Sequence, residues 1–151
     1  MRLLVQRVKS AKVKVAKTGK TVGKIEKGLL VLLGVKQGDE ESDADILAEK
    51  LAKLRVMADE KEKMNLSVKD IDAEVLVVSQ FTLYADTSGG NRPSFIKAAE
   101  PVLAEKLYKL FVSKLREKGI KVETGSFGEY MEIDAELDGP VTIIMEWPLE
   151  F

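Results

Sequence analysis

Cysteine and histidine are both absent from the 151 residues. Their absence excludes disulfides and any metal site built on thiolate or imidazole. It also excludes catalysis by Ser-His-Asp or Cys-His arrangements, because no imidazole is present to act as the base. An enzyme with this sequence must use carboxylates, hydroxyls, lysines, backbone amides or groups on its own substrate. The sequence therefore predicts no metal and no cofactor.

Long apolar runs are also missing. The longest, 29–33, lies between Gly28 and Gly34, whereas a membrane-spanning helix needs about 20 apolar residues. The amino-terminal residues lack the length and cleavage site of a signal peptide. The composition, with 45% hydrophobic residues, is typical of a globular chain with a core. We therefore predict one domain over residues 1–151, no membrane partner and a cytoplasmic location.

Positive and negative side chains nearly balance each other, and the net charge is −1. The distribution is uneven, because residues 1–27 contain nine Lys or Arg and one acid, Glu26, and so carry +8 against −9 for the rest. Such a segment could be a phosphate-binding face. A lysine-rich solvent face on edge strands is the favoured interpretation, because it protects against aggregation.

Alternating or β-branched residues predict several strands. The predicted strands are 2–8, 11–16, 21–26, 28–35, 74–81, 121–124, 130–137 and 141–147. The pair 11–16 and 21–26 is predicted to form a hairpin around Gly19.

Two segments have the three- and four-residue apolar spacing of helices. The apolar residues are Ala44, Leu47, Leu51 and Leu54 in the first and Leu103, Leu107, Leu110, Phe111 and Leu115 in the second. The first is predicted to be capped by Ser42, and the second to span about 98–118 with Pro101 in its first turn. Residues 59–66 and 85–93 are predicted to be loops. This order predicts a three-layer α/β domain with a mixed sheet. Two helices cannot cover both faces of that sheet, so we expect a second sheet or barrel-like packing, or another subunit, on the uncovered face, and a homodimer.

Ser79-Gln80-Phe81-Thr82 lies at the carboxyl end of the predicted central strand, where ligands of α/β sheets tend to bind. Thr82 could be a nucleophile, or the backbone amides could form an oxyanion site. Because the chain has no histidine to act as the base, the amide interpretation is favoured. Taken alone, the segment is more often a simple strand end.

Two other polar segments carry candidate residues. In 92–95, Arg92 could meet a phosphate and Ser94 could cap the second helix. Asp138-Gly139-Pro140 is predicted to be a turn, and its X–Pro bond is expected to be trans because only about 5–6% are cis. A cis bond would present the Gly139 and Pro140 carbonyls in a shape that trans cannot.

Taken together, these segments resemble the bacterial and eukaryotic D-aminoacyl-tRNA deacylase family from end to end. The matching stretches are Gln6-Arg7-Val8, 28–35, Lys63-Met64-Asn65-Leu66, 77–83, Arg92-Pro93-Ser94-Phe95, Thr124-Gly125 with Phe127, and 138–142. The family's Asn before Asp-Gly-Pro is replaced by Leu137, which puts the local hydrogen bonding of that turn in question.

The resemblance implies hydrolysis of the ester that joins a D-amino acid to the 3′-terminal adenosine of tRNA, and removal of glycine misattached to tRNA. It implies a homodimer in which a cis Gly139–Pro140 bond reaches into the partner's pocket and excludes L side chains. The remaining implied site residues are Ser79, Gln80, Phe81 and Thr82 as pocket lining, Phe127 and Met131 as further pocket positions, Arg7 beside the Gly-Pro loop, and the segment Arg92, Pro93, Ser94 and Phe95.

An aminoacyl ester is already activated, and the neighbouring ribose 2′-hydroxyl can assist its hydrolysis. We therefore expect a substrate-assisted mechanism that relies on positioning and backbone electrostatics. A related editing enzyme with a different tolerance for L-amino acids is one alternative. A non-catalytic RNA-binding module that uses the basic segment 1–27 is another. DNA is not an expected partner.

Overall fold

The computed structural model describes residues 1–149. It contains two α-helices, α1 (Glu41–Ala52) and α2 (Pro101–Glu117), and one short 3₁₀ helix (Phe81–Tyr84). The strands are β1 (Arg2–Val15), β2 (Thr21–Ile25), β3 (Gly28–Gly34), β4 (Met57–Ala58), β5 (Met64–Leu66), β6 (Glu74–Ser79), β7 (Lys121–Thr124) and β8 (Met131–Glu146).

The main sheet has six strands in the order β2-β1-β3-β6-β7, with β8 paired to the other side of β1. The pairs around β1 are antiparallel, while β3, β6 and β7 run parallel to one another. The sheet curls until β2 approaches β7, where a side-chain carbon at Gly23 would stand 2.4 Å from the Thr124 carbonyl oxygen. The prediction of a mixed α/β fold with barrel-like packing is thereby confirmed.

Two hydrophobic cores fill the two sides of this sheet. The larger one lies under the helices, where Leu47, Leu51 and Phe111 are completely buried against strand residues such as Val75. The smaller one fills the inside of the curl and includes Leu76 and Val78. Because successive residues of a strand point to opposite faces, β6 contributes alternately to both cores. The curl of the sheet thus covers the face that the two helices leave open.

Two predicted strand pairs are each one longer strand, which corrects the sequence-based boundaries. Residues 2–8 and 11–16 join in β1, because β3 pairs with its first half, β2 with its second half and β8 with nearly all of it. Residues 130–137 and 141–147 join in β8. The predicted turn at Asp138-Gly139-Pro140 is therefore wrong. With Gln6 opposite Thr142 and Val8 opposite Leu137, residues 138–141 bulge opposite Arg7.

Helix boundaries differ from the predictions for local reasons. Ser42 is not the cap of α1, because Glu40 occupies that position and its N–H donates to the Asp43 carboxylate at 2.7 Å. The second helix starts at Pro101 rather than at residue 98, with Pro in the first turn as predicted. The predicted loop 59–66 includes β5, which pairs with β4. No described helix is long and apolar enough to cross a membrane.

Candidate functional site

The chain changes conformation sharply where β6 ends. The Gln80 N–H donates to the Leu33 carbonyl at 2.7 Å and continues the parallel pairing, after which Phe81–Tyr84 form the 3₁₀ helix. The prediction that the strand reaches Phe81 is therefore wrong by two residues. Gly34 permits this turn, since a side-chain carbon there would meet the Gln80 carbonyl oxygen at 3.1 Å.

The start of the 3₁₀ helix presents backbone donors and one tight side-chain pair. Its first hydrogen bond runs from the Leu83 N–H to the Gln80 carbonyl at 3.3 Å. The N–H groups of Phe81 and Thr82 precede that bond and have no partner within the helix. The Gln80 amide donates to the Thr82 hydroxyl at 2.5 Å. Since an amide cannot take up a proton as a base does, this pair does not activate Thr82 as a nucleophile.

A cavity of about 710 Å³ opens beside this turn, and we call it the β6 pocket. Ser79, Gln80 and Phe81 form one wall, together with Phe95 from the following loop, and Phe127 and Met131 face them. The sequence did not indicate the remaining lining. Those residues are Val78, Ala98, Ala99, Glu100, Pro101, Ala104, Gly128, Glu129, Tyr130 and Ile133. Such a mostly apolar cleft with a few polar groups is typical of a small-molecule site.

Aromatic contacts fix two walls of the β6 pocket. Phe81 and Phe95 meet edge to face, with ring centroids 5.1 Å apart. Phe127 packs at 5.9 Å from the ring of Tyr108, whose hydroxyl donates to the Val77 carbonyl at 2.8 Å. Burial raises the pKa of Tyr108 to about 12, so the phenol remains a neutral donor at physiological pH. The helical spacing of α2 was the signal that could have placed Tyr108 on its buried face.

Met131 is held by the segment that leads into β8. The Ser126 N–H contacts its sulfur at 3.3 Å. Gly125 leaves the room for that sulfur, which would lie 2.8 Å from a side-chain carbon at this position. The predicted pair Phe127 and Met131 is thus placed in the β6 pocket by backbone contacts of one short loop.

The Gly139–Pro140 bond is cis, as the family resemblance implies and contrary to the trans bond expected from the residues alone. Arg7 contacts this bulge through Asp138: its Nε lies 3.2 Å from the Asp138 carbonyl oxygen and 3.3 Å from the carboxylate. A second guanidinium nitrogen donates to the Val56 carbonyl at 2.9 Å. Arg7 therefore ties the bulge to the segment before β4.

The segment 92–95 only partly reaches the pocket. Ser94 pairs with Asp86 through two backbone hydrogen bonds of 2.8 and 2.9 Å, so the prediction that it caps the second helix is wrong. Glu100 holds the cap position because Pro101 begins α2. Arg92 and Pro93 are exposed and do not line the cavity.

Three lysines of the basic segment lie along a ladder of acids. Lys9, Lys12 and Lys14 on β1 pair with Glu136, Asp134 and Glu132 on β8, at 3.9, 3.7 and 3.2 Å. The acids come from the other end of the sequence, so the excess of +8 is partly neutralised in the fold. This arrangement favours the solvent-face interpretation of these lysines.

A sequence model of the family described as "D-Tyr-tRNA(Tyr) deacylase" matches residues 4–146. The chain belongs to this family. A curated protein of Thermosipho melanesiensis named "D-aminoacyl-tRNA deacylase" is 56% identical over 147 residues, covering 97% of each chain. Another of that name from Koribacter versatilis is 54% identical over 151 residues, covering 100% of both. These matches confirm the predicted family and enzyme class.

Two solved structures share the fold of this deacylase-family chain. One, titled "c-Myc DNA Unwinding Element Binding Protein", has a TM-score of 0.91 at 38% identity and covers 99% of this chain and 100% of its own. The other, titled "Structural Analysis of a probable eukaryotic D-amino acid tRNA deacylase", has a TM-score of 0.83 and covers 95% of this chain and 97% of its own. At 16% identity the second shows the fold alone.

In this deacylase-family chain the predicted site residues fall into two groups. Ser79, Gln80, Phe81, Phe95, Phe127 and Met131 come together in the β6 pocket. Outside its lining are Thr82, Arg7, Gly139, Pro140, Arg92, Pro93 and Ser94. Within residues 1–149 no group of three or more acidic side chains is placed to hold a metal ion.

Proposed function

We propose that this protein hydrolyses the ester bond of D-aminoacyl-tRNA, releasing free tRNA and the D-amino acid, with the whole chain 1–151 acting as one catalytic domain. The observation that carries the proposal is the β6 pocket, in which the polar end of a central strand faces Phe127 and Met131. The relatives at 56% and 54% identity are named for this activity. An activity on aminoacyl-tRNA would place the protein in the cytoplasm.

The backbone at the start of the 3₁₀ helix supplies the electrostatic part of the mechanism. Water attacks the ester carbonyl carbon, and negative charge develops on the carbonyl oxygen. The bond to the ribose oxygen then breaks, and that oxygen takes up the proton that the water loses. Phe81 lines the pocket, so its N–H can donate to the carbonyl oxygen, and a fixed donor of this kind typically lowers a barrier by about 3–4 kcal/mol. With no protein base in place, the ribose 2′-hydroxyl orients the water. Gln80 holds the Thr82 hydroxyl, so that Thr82 shapes the turn and does not attack.

A homodimer would complete the site. β8 pairs only with β1 among the described strands, and Ile133, Leu137 and Ile144 on it are 37%, 45% and 67% exposed. A long edge strand with exposed apolar side chains is an aggregation hazard unless something covers it. A second copy packed there would bring its Gly139 and Pro140 to this subunit's β6 pocket. Their carbonyls would then occupy the space that an L side chain needs.

The same exclusion accounts for activity on glycyl-tRNA. Glycine has no side chain, so a site that only rejects L side chains has no means of rejecting it. We therefore include mischarged glycyl-tRNA among the substrates. Sedimentation at micromolar concentration tests the dimer on which this selectivity depends, and a monomer would contradict it.

The decisive experiment offers D- and L-tyrosyl-tRNA in parallel, with a chelator present. We expect hydrolysis of the D form alone, at a rate that the chelator does not change. Hydrolysis of both enantiomers would instead indicate an editing enzyme with a different chirality tolerance, and binding of tRNA without deacylation would indicate an RNA-binding module. A substrate with a 2′-deoxy terminal adenosine tests the mechanism, because normal turnover of that substrate would exclude assistance by the 2′-hydroxyl.

A further inference from the structure

The β6 pocket has the wrong charge to hold a polyanion. Its described lining includes the acidic residues Glu100 and Glu129 and no lysine or arginine. tRNA carries a negative charge on every nucleotide, and neutralisation of phosphates by Lys and Arg supplies most non-specific affinity for nucleic acids. The phosphates nearest the terminal adenosine of a bound tRNA must therefore be contacted by residues outside this pocket.

A second, smaller cavity of about 320 Å³ lies at the end of the 3₁₀ helix, where Tyr84 and Ala85 line it, and we call it the basic recess. Arg2, Lys36 and Lys97 line it, against one carboxylate, Asp86. Loop hydroxyls of Thr87 and Ser88 add further hydrogen-bonding groups. The described lining therefore carries an excess of positive charge that the β6 pocket lacks.

Arg2 is a fixed part of this recess. Its guanidinium donates to the Leu83 carbonyl at 2.7 Å and to the Glu146 carboxylate at 2.9 Å, and it lies 4.7 Å from the centre of the Tyr84 ring. These three contacts tie the first strand to the end of the 3₁₀ helix. Because Glu146 balances its charge and its donors are largely occupied, Arg2 gives the recess a fixed wall and adds little net charge.

Lys97 is the cation best placed to contact a ligand. It is 60% exposed and its ammonium lies 3.7 Å from the Asp86 carboxylate, which also accepts from the Ser88 N–H and hydroxyl at 2.9 and 2.6 Å. An ammonium has three donors, so a single long ion pair leaves capacity for a phosphate oxygen. Lys36 lies across the same recess at the end of β3.

The recess and the β6 pocket are close neighbours along two segments. Phe81 lines the pocket and Tyr84 lines the recess, and three residues of a 3₁₀ helix rise about 6 Å. Phe95 lines the pocket and Lys97 lines the recess, and two residues of chain span at most about 7 Å. A nucleotide chain that leaves the pocket over the 3₁₀ helix reaches the recess within its last few phosphates.

We propose that the basic recess, through Lys36 and Lys97 beside the fixed side chain of Arg2, binds a phosphodiester of the RNA strand whose terminal adenosine occupies the β6 pocket. This proposal rests on the proposed function, which names the RNA. It assigns the adenosine and the phosphate backbone to two different cavities, one lined by the start of the 3₁₀ helix and the other by its end.

The test uses Lys97→Gln and Lys36→Gln in the full chain, with Lys109→Gln as the matched control. Lys109 is 69% exposed and paired with Glu105 at 3.0 Å, and it lines neither the β6 pocket nor the basic recess but a separate groove that shares Phe127 with the pocket. Each variant is given D-tyrosyl-tRNA and the phosphate-free ester D-tyrosyl-adenosine, and kcat/KM is measured from low to high salt. Binding of uncharged tRNA by fluorescence anisotropy is measured over the same salt range.

We expect each recess substitution to flatten the logarithmic salt dependence of tRNA affinity by about 0.7, the value for one single-strand phosphate contact. At 0.1 M salt this corresponds to about a fivefold fall in kcat/KM for the tRNA ester relative to the adenosine ester. An unchanged salt slope in both recess variants overturns the proposal, as does an equal flattening in Lys109→Gln.

The two proposals fail separately. If the wild-type protein hydrolyses neither D ester, the proposed function fails, and the salt slope of uncharged-tRNA binding still reports on the recess. If the wild-type protein hydrolyses both esters and the recess variants keep the wild-type salt slope and substrate ratio, only the recess is excluded.

Discussion

Strand β6 and the 3₁₀ helix that follows it are neighbours in sequence with opposite properties. Val75, Leu76 and Val77 in the strand are completely buried and divide between the two cores. Phe81, two residues after the strand, is 54% exposed at the edge of the pocket. Apolar residues in the strand hold the fold together, whereas an apolar residue just beyond it is left uncovered. An exposed aromatic side chain beside a polar strand end indicates a site that binds another molecule.

The largest expected effect is on stability, and it separates residues that pack in the core from residues that line the pocket. Phe111 is completely buried in the helix-side core, so Phe111→Ala should lower the free energy of unfolding by about 3–5 kcal/mol. Phe81→Ala removes an exposed ring and one edge-to-face contact, and should cost about 1 kcal/mol. Urea denaturation measures both.

Turnover of D-tyrosyl-tRNA should show the reverse order. Under conditions where both variants are folded, Phe81→Ala should reduce kcat/KM more than Phe111→Ala does, because Phe81 lines the β6 pocket. Equal losses of stability, or unchanged activity in Phe81→Ala, would contradict the division between the strand and the helix that follows it.

Tyr108 joins the core to the pocket, and its titration gives the next largest effect. Burial raises its pKa from 10.0 to about 12. The stability linked to this shift is present below pH 10 and is lost as the pH rises to about 12, because the unfolded state releases the proton first. The loss should reach up to about 3 kcal/mol.

Phenylalanine at position 108 isolates this contribution. Tyr108→Phe should be less stable at neutral pH by about 1 kcal/mol, since it lacks the hydrogen bond to Val77. Its stability should then fall less steeply than that of the wild-type protein between pH 10 and 12. Unfolding curves of the two proteins in parallel at each pH cancel the effect of lysine titration, and parallel curves for both would exclude the shifted phenol.

The buried core residues could be predicted from the sequence, whereas most residues of the β6 pocket could not. Periodicity placed Leu47, Leu51 and Phe111 correctly, because burial along a helix or strand follows a local repeat. The acids Glu100 and Glu129 reach the β6 pocket only because α2 and the loop before β8 meet there, and no local pattern records that meeting. The turn assigned to Asp138 failed for a similar reason, since pairing with β1 continues on both sides of it.

Substitution of Gly139 tests whether an exposed residue outside the β6 pocket affects the selectivity of that pocket. Its φ is +133°, and a side-chain carbon would lie 2.8 Å from both the backbone nitrogen and a methyl carbon of Val141. Gly139→Ala must shift the bulge, so we expect a loss of about 1–3 kcal/mol in stability. If the bulge excludes L side chains in a partner's pocket, the ratio of D- to L-tyrosyl-tRNA hydrolysis should also fall.

Gly38→Ala is the control for backbone strain alone. Its φ is +85°, and nothing lies within 4 Å of the position of the added carbon. The control should lose stability through backbone strain and keep the wild-type ratio of D to L hydrolysis. The same change of ratio in both variants would show that the effect is not specific to the bulge.

The smallest expected effect concerns residues that are as exposed as Phe81 but neither pack in a core nor line the β6 pocket. Lys12 and Asp134 lie 3.7 Å apart on the ladder between β1 and β8, with side chains 49% and 66% exposed. Exposed ion pairs contribute little to stability because water and salt screen them. Lys12→Gln should therefore change the melting temperature by no more than about 1 °C.

The same variant sharpens the comparison of the two basic regions. Lys12 lines neither the β6 pocket nor the basic recess, so Lys12→Gln should leave the salt slope of tRNA binding unchanged, whereas Lys97→Gln should flatten it. A flattened slope in Lys12→Gln would assign tRNA contact to the amino-terminal hairpin and contradict its interpretation as a solvent face. Lys12 and Lys97 are both exposed and each lies 3.7 Å from one acid, so only the position of Lys97 in the recess beside the β6 pocket distinguishes them.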